Sequence, residues 1–539
     1  MIRTILFIGL FFLSIACVQK IDDLTIVPIS AEVPLPIGRF TLKADKLTKI
    51  GDSLNVEENS EGIIQLYYDS EVLRATLFDR LTIPDQTFNE SVPFSSFAFM
   101  GGTDSKVKVS RYNSFTINNV DLLSPPPKLD SVIFKGGSLK VSQFKNFDHN
   151  LVSTIKFLTF YKDGSPISVV LNNNGSTTVP LAGAKLGLKG VSGTTTNTID
   201  YEITSVVSDT GSDTQGTVSV SVSMESMEFS FMKGDFSTYA FDHVSSTYET
   251  NLPESEFPDN VAFTNPIVNV AVLNSSGIPF GLDISELSVK KSDGSIEQVT
   301  GSFDDDTYDV AEAQDPGETA ESDFTIDKNN TDNFIDLLNE IPQEVNFNGD
   351  LTANPSGTPV TGNFVTDSSE IVVNTRFILP LEGYANEYVL TDTVDAKLVI
   401  EDETIIPESI NFRLQGENAF PMLIALQLYF LDSLDNSVVL DSLFLTNEEQ
   451  QLFPAGEVDN EGLVVAPTFM TSDVLIDNEK YERIKGTGSI KIAAYVSTTG
   501  ADSNPPESIK ISIDDYFTVG IGVMIKAKID LNNLSRTSK

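Results

Sequence analysis

Apolar and polar residues alternate with a period of two along much of this chain, a pattern that predicts strands. Val132 and Phe134, then Leu139 and Val141, then Ile155, Phe157, Thr159 and Tyr161 keep to one face of an extended backbone. Val268, Val270 and Val272 do the same, as do Ile410, Phe412 and Leu414, and then Ile424, Leu426, Leu428 and Phe430. Such runs bury one face and wet the other, as antiparallel sheets do. Asp163-Gly164, Asp293-Gly294 and Asp435-Asn436 punctuate the runs with residues that tolerate positive φ, the requirement of tight hairpins. The period changes at Phe334, Leu337, Leu338 and Ile341, which share one helical face, and Pro342 ends that helix. Thr446-Asn447-Glu448-Glu449 reads as the capping box of another short helix.

These features recur in the same order. From Asn146 to Asp163 is 17 residues, from Asn274 to Asp293 is 19, and from Asn418 to Asp435 is 17. Asp332 opens the helical stretch 58 residues after Asn274, and Asp477 opens another 59 residues after Asn418. Both stretches lead into strand, turn and strand: Val345 to Phe347 and Ile371 to Val373, then Ile490 to Ile492 and Ile509 to Ile513. Tyr201 to Ile203 and Val218 to Val222 repeat this near the front, without a clear helix. The chain therefore divides into β units at 126–255, 256–395 and 396–535, each near the commonest domain size. A further β region at 31–125 precedes them, with Ile64, Leu66 and Tyr68 alternating. The expected class is mainly β: tandem antiparallel sandwich-like, or curled tubular, repeats with a few short helices.

The first residues carry a different message. Arg3 precedes an uncharged run from Ile5 to Ala16, far shorter than the roughly 20 apolar residues of a spanning helix. Cys17, the single cysteine of the 539 residues, follows directly. Leu13-Ser14-Ile15-Ala16-Cys17 resembles a bacterial lipoprotein signal, which implies a signal peptide at 1–16 and an acylated thiol at Cys17. Val18-Gln19-Lys20-Ile21-Asp22-Asp23 resembles the export tether of Bacteroidota-type outer-membrane lipoproteins, so 17–30 reads as a lipidated tether. The resemblance implies anchorage at the bacterial outer membrane, on its periplasmic or cell-surface face. Two or more acyl chains give lasting anchorage where one does not. Asn265-Pro266 followed by Asn274-Ser275-Ser276-Gly277-Ile278-Pro279 resembles late-embryogenesis-abundant type 2 domains, and the long paired strands more faintly resemble tubular lipid-binding barrels. These likenesses imply β-sandwich or tubular units and bring no catalytic residues.

Charge narrows the function. The net charge is −42, with 77 acidic residues against 35 basic ones. Nucleic acid binding, which needs Lys and Arg against phosphates, is excluded on that ground. The same surface is repelled by anionic lipid headgroups and favours solubility. His149 and His243 are the only histidines, so no metal site built on His/Cys clusters can form. No nucleophile elbow, P-loop or dinucleotide fingerprint is present. No cofactor is expected, with calcium as the one metal that the oxygens of Asp304, Asp305, Asp306 and Asp309 would suit. The bland reading of that acidic run, with Pro316-Gly317 close behind, is a solvated loop. Phe94 with Phe97, Phe99 and Met100, and Met224 with Met227, Phe229, Phe231 and Met232, read as core or as a soft binding surface. The leading expectation is a non-catalytic accessory or interaction subunit of an envelope complex, held to the membrane by its lipid. The alternative is a carrier for a hydrophobic ligand, with an apolar tunnel. A carboxylate-based hydrolase comes third, since no spacing singles out a pair of acids.

Overall fold

The computed structural model describes residues 29–44, 55–81, 83–97, 106–117, 127–208, 214–250, 261–355, 362–386, 388–395, 405–444 and 451–529. Its architecture is mainly β, in several antiparallel sheets. The helices Phe334–Leu338 and Asn478–Ile484 are short; the second follows the Asp477 cap, whereas the first stops before Ile341, whose φ of 53° is left-handed and not helical as its spacing predicted. The capping box at 446–449 and Cys17 lie outside the described residues.

The repeat is a repeat of topology. In the third unit one sheet has the order Ile29–Lys43, Tyr516–Ile529, Ile405–Asn418, Thr468–Ile476. The other has Tyr388–Asp395, Thr487–Thr498, Met422–Asp432, Val439–Ser442. The second unit reproduces both: Ile64–Thr76, Glu370–Pro380, Ile267–Asn274, Ala320–Ile326, and Tyr239–Glu249, Glu344–Ala353, Phe280–Lys290, Ile296–Gln298. The first unit follows the same plan with Gln86–Phe97, Thr214–Asp235, Lys128–Lys145, Ser176–Pro180, and with Lys106–Thr116, Thr198–Ser208, Asn150–Lys162, Ser165–Asn172. There a short strand, Lys185–Gly187, pairs with both Lys128–Lys145 and Asn150–Lys162 and zips the two sheets together. The second and third units are thus open two-sheet sandwiches, and the first is closed along one side.

The strands of 31–125 are shared out among the units. Ile29–Lys43 borders the third unit, Ile64–Thr76 the second, and Gln86–Phe97 and Lys106–Thr116 the first. Each covers a sheet edge that would otherwise expose a row of unpaired backbone groups. The chain therefore runs from the third unit to the first, then returns through all three in order. Side chains fix the register of these long-range pairs. Arg376 on Glu370–Pro380 reaches Asp69 by two bonds of 2.5 and 3.0 Å and Glu57 at 2.9 Å, and lies over the Tyr67 ring.

The predicted alternation holds with one instructive slip. Ile155 and Phe157 are buried, but Phe160 then takes the core position and Tyr161 is 40% exposed. The pairing of Asn150–Lys162 with Ser165–Asn172 shifts register between Lys156 and Tyr161, and an irregularity of that kind turns the following side chains to the other face. Asp163 and Gly164 have φ of 51° and 77° and make the tight turn that follows. One continuous apolar core runs through the first and second units, and the third has its own.

Backbone bonds join the second unit to the third: Leu381 N to Ile64 O, Ile64 N to Ile511 O, and Ile511 N to Leu381 O. Beside this junction the backbone carbonyl of Asp515 accepts from Ala44 N, and its carboxylate accepts from Ser512 N at 2.8 Å. Burial pushes the Asp515 carboxyl up to about 7, and the nearby Asp514 adds to the rise. A folded pKa above the unfolded value means stability is full at low pH and falls as pH rises from about 4 to about 7. Asp515→Asn should remove that slope and leave the protein more stable than the parent at pH 8 by about 2 kcal/mol, allowing for partial solvation. Thermal melts of both proteins between pH 4 and pH 8 check this, and parallel pH profiles would refute it.

Candidate interaction surface

The asparagines that mark the repeat are structural. Asn274 is fully buried at the end of its strand. Its amide nitrogen donates to Ile278 O (2.8 Å) and Ala311 O (3.0 Å), and its oxygen accepts from Ser276 N (3.0 Å). Asn418 repeats this: it donates to Met422 O and Pro454 O, each at 2.8 Å, and accepts from Phe420 N. Both clasp the corner where the chain crosses from one sheet to the other. Asn146 is exposed and only accepts from Thr217 N, so the first unit lacks the clasp. The turns match as well, since Asp293 and Asp435 each accept from the backbone and hydroxyl of a serine two residues on.

The acidic run forms an exposed loop. Asp304, Asp305, Asp306 and Asp309 point to solvent around the buried Phe303. Among the described residues no three His, Cys, Asp or Glu side chains converge on a common point. His149 is buried. His243 lies on an open sheet face, its Nδ1 2.9 Å from Asp350 Oδ1. Asp350 stands beside Asp283 in the next strand, and Thr307 gives its hydroxyl proton to Asp283, away from the ring. A nucleophile needs its own base in hydrogen-bond reach, and this row spends the hydroxyl elsewhere. Glu286 is held below the usual carboxylate range by hydrogen bonds from Gln298, Ser288 and Asn348, which suits an acceptor and not a proton donor. Met224, Phe229 and Met232 are core, as is Phe94, whereas residues 98–105 lie outside the described set.

The surface that stands apart is the outward face of the third unit's first sheet. Thr468–Ile476 is its outer strand, and no described strand pairs with the far side. Phe469 and Leu475 on it are 72% and 69% exposed. Leu475 aligns with Asn411 and Met524 across three strands, and Asp473 with Arg413 and Gly522. Residues directly opposite in antiparallel strands share a face. A shallow hollow of about 360 Å³ opens on this face between Ser409, Asn411, Asp473, Leu475, Met524 and Lys526. Arg413 neutralises Asp473 through two bonds of 2.7 Å and holds that carboxyl below its ordinary range. The equivalent strand of the second unit, Ala320–Ile326, shows Glu321 and Asp323 to solvent, and Ala311 N bonds to its Ser322 hydroxyl. That of the first unit, Ser176–Pro180, is short and ends in proline. Charge, cover and proline are the usual guards of a sheet edge, and on Thr468–Ile476 the one charge, Asp473, is paired with Arg413. Sequence reading missed this strand. Its available signal was a stretch, 462–476, with one charged residue in an otherwise acidic chain.

No protein-family model matches the chain, and no curated protein matches it. Among solved structures, it is similar to a candidate secreted protein of Parabacteroides distasonis, at 14% identity and a TM-score of 0.29, over 55% of this chain and 89% of that one. It is also similar to a tandem CBM22 domain of Paenibacillus barcinonensis Xyn10C, at 7% identity and a TM-score of 0.15, over 54% and 85%. A third likeness is to the infectious bursal disease virus Gx strain, at 10% identity and 0.12, over 91% and 84%. Scores this low carry no argument about family or activity.

Proposed function

We propose that this protein is a lipid-anchored, extracytoplasmic interaction subunit of a bacterial outer-membrane or cell-surface complex, and that its third unit is the docking module. The observation that carries this reading is the outer strand Thr468–Ile476, which no described strand pairs on its far side and on which Phe469 and Leu475 are exposed. The same sheet takes in Ile29–Lys43, so the unit lies twelve residues after Cys17. At most about 40 Å of extended chain separates it from an acylated cysteine. The docking module is then the membrane-proximal one, and the first unit is the most distant along the chain's path.

Packed interiors favour this reading over a ligand carrier. Phe134, Phe157 and Phe160 fill the first unit, Phe280, Phe347 and Phe377 the second, and Phe412, Phe420 and Phe430 the third, all fully buried. Such side chains occupy the space that a tunnel would need. The test is mass spectrometry of whatever co-purifies with a C-terminally tagged form extracted from its native envelope. A stoichiometric membrane or surface protein is expected, and Cys17→Ala should move the chain from the membrane to the soluble fraction. Stoichiometric lipid without protein would replace the reading with the carrier.

A further inference from the structure

We infer that the strand Thr468–Ile476 pairs antiparallel with the same strand of a second copy, joining two third units into one continuous sheet. This rests on the anchored-interaction reading for its physiological setting, and names the partner. The strand is self-complementary. A two-fold axis through Ser472 sets Phe469 opposite Leu475, Met470 opposite Val474, and Thr471 opposite Asp473. On the outer face this gives two aromatic–aliphatic pairs and two hydroxyl–carboxylate pairs, and nowhere sets one carboxylate against another. On the inner face Met470 and Val474, already packed against the third core, meet each other across the axis.

Electrostatics select this strand over its equivalents. Two chains of charge −42 repel, so an edge that pairs with itself must be locally neutral. Asp473 is the only charged residue on Thr468–Ile476, and Arg413 of the same copy already balances it. In the second unit, a two-fold pairing about Asp323 would set that carboxylate against its own copy. A single strand pair buries little area, so the contact is weak in solution. Anchorage places every copy's third unit in one shallow layer at the membrane, which raises the effective concentration.

The test uses the absence of any other cysteine beyond Cys17. In the full-length lipidated protein in native membranes, Ser472→Cys places two thiols on the axis. Directly opposite Cα atoms in antiparallel strands lie about 4.5–5.5 Å apart, within disulfide reach. Mild oxidation should give a covalent homodimer. Phe469→Cys is the control, because six residues of strand put its two copies about 20 Å apart, far beyond disulfide reach. Adding Phe469→Glu to Ser472→Cys loses two cross-strand apolar pairs and should cut dimer yield about tenfold. A Ser472→Cys yield no higher than that of Phe469→Cys overturns the inference. An adduct to a different envelope protein also overturns it while leaving the interaction reading in place. The co-purification experiment tests that reading separately.

Discussion

Asn274→Asp should destabilise the protein by about 4 kcal/mol or more at neutral pH, from a change of one atom. The amide nitrogen of Asn274 donates to two carbonyl oxygens, Ile278 O and Ala311 O, in a site with no exposed surface. Aspartate puts an acceptor there, so three oxygens face one another with no proton between them. The new carboxyl escapes only by staying protonated, so its loss of stability should shrink as pH falls towards 5. Asn274→Ala should lose about 2–4 kcal/mol, leaving the same two carbonyls and Ser276 N unpaired. Asn418→Asp should behave like Asn274→Asp, because its bonds are the same. Asn146→Ala should lose under about 1 kcal/mol, since that side chain is exposed and makes one bond. Urea denaturation followed by circular dichroism, with hydrogen exchange across residues 267–290, reads these differences. Equal midpoints for Asn274→Asp and Asn146→Ala would remove the clasp from the account.

Phe377→Ala should lose about 3–5 kcal/mol, the range for emptying an aromatic site in a tight core. Phe377 is fully buried and packs ring to ring with Tyr68 at 5.6 Å, Tyr248 at 6.1 Å and Phe334 at 6.3 Å. Those rings come from Ile64–Thr76, Tyr239–Glu249 and the helix Phe334–Leu338, three segments far apart in sequence. The variant should therefore also loosen the N-terminal strand, seen as faster hydrogen exchange at 64–76. Phe469→Ala gives the contrast: a ring 72% exposed should change stability by less than about 0.5 kcal/mol. A Phe377→Ala midpoint within error of the parent would show that the N-terminal strand is not held by this cluster.

Both predictions bear on how legible the fold was. The asparagine, the Asp-Ser turn and the capped helix recur at near-constant spacing because each is a local device. Asn418 bonds to a carbonyl four residues on, Asp435 to a serine two residues on, and Asp477 caps Lys480 N. Local bonds leave local patterns. The slip after Phe157 was not legible, because it depends on how a partner strand shifts register. Nor was the exposure of Thr468–Ile476. Phe469 and Leu475 alternate with Met470 and Val474 like any buried pair, and which side meets water depends on the neighbouring sheet.

By itself the amino-acid sequence determined a strongly acidic chain of antiparallel β units, the second and third repeated with the same corners and turns. Tertiary structure alone decided where the described N-terminal strands go. Ile29–Lys43, Ile64–Thr76 and Gln86–Phe97 have the same alternating character and could border any sheet. Their assignment to the third, second and first units is set by long-range partners such as Arg376 with Asp69 and Phe377 with Tyr68. Periodicity records which face of a strand is buried; it holds no record of which strand lies alongside.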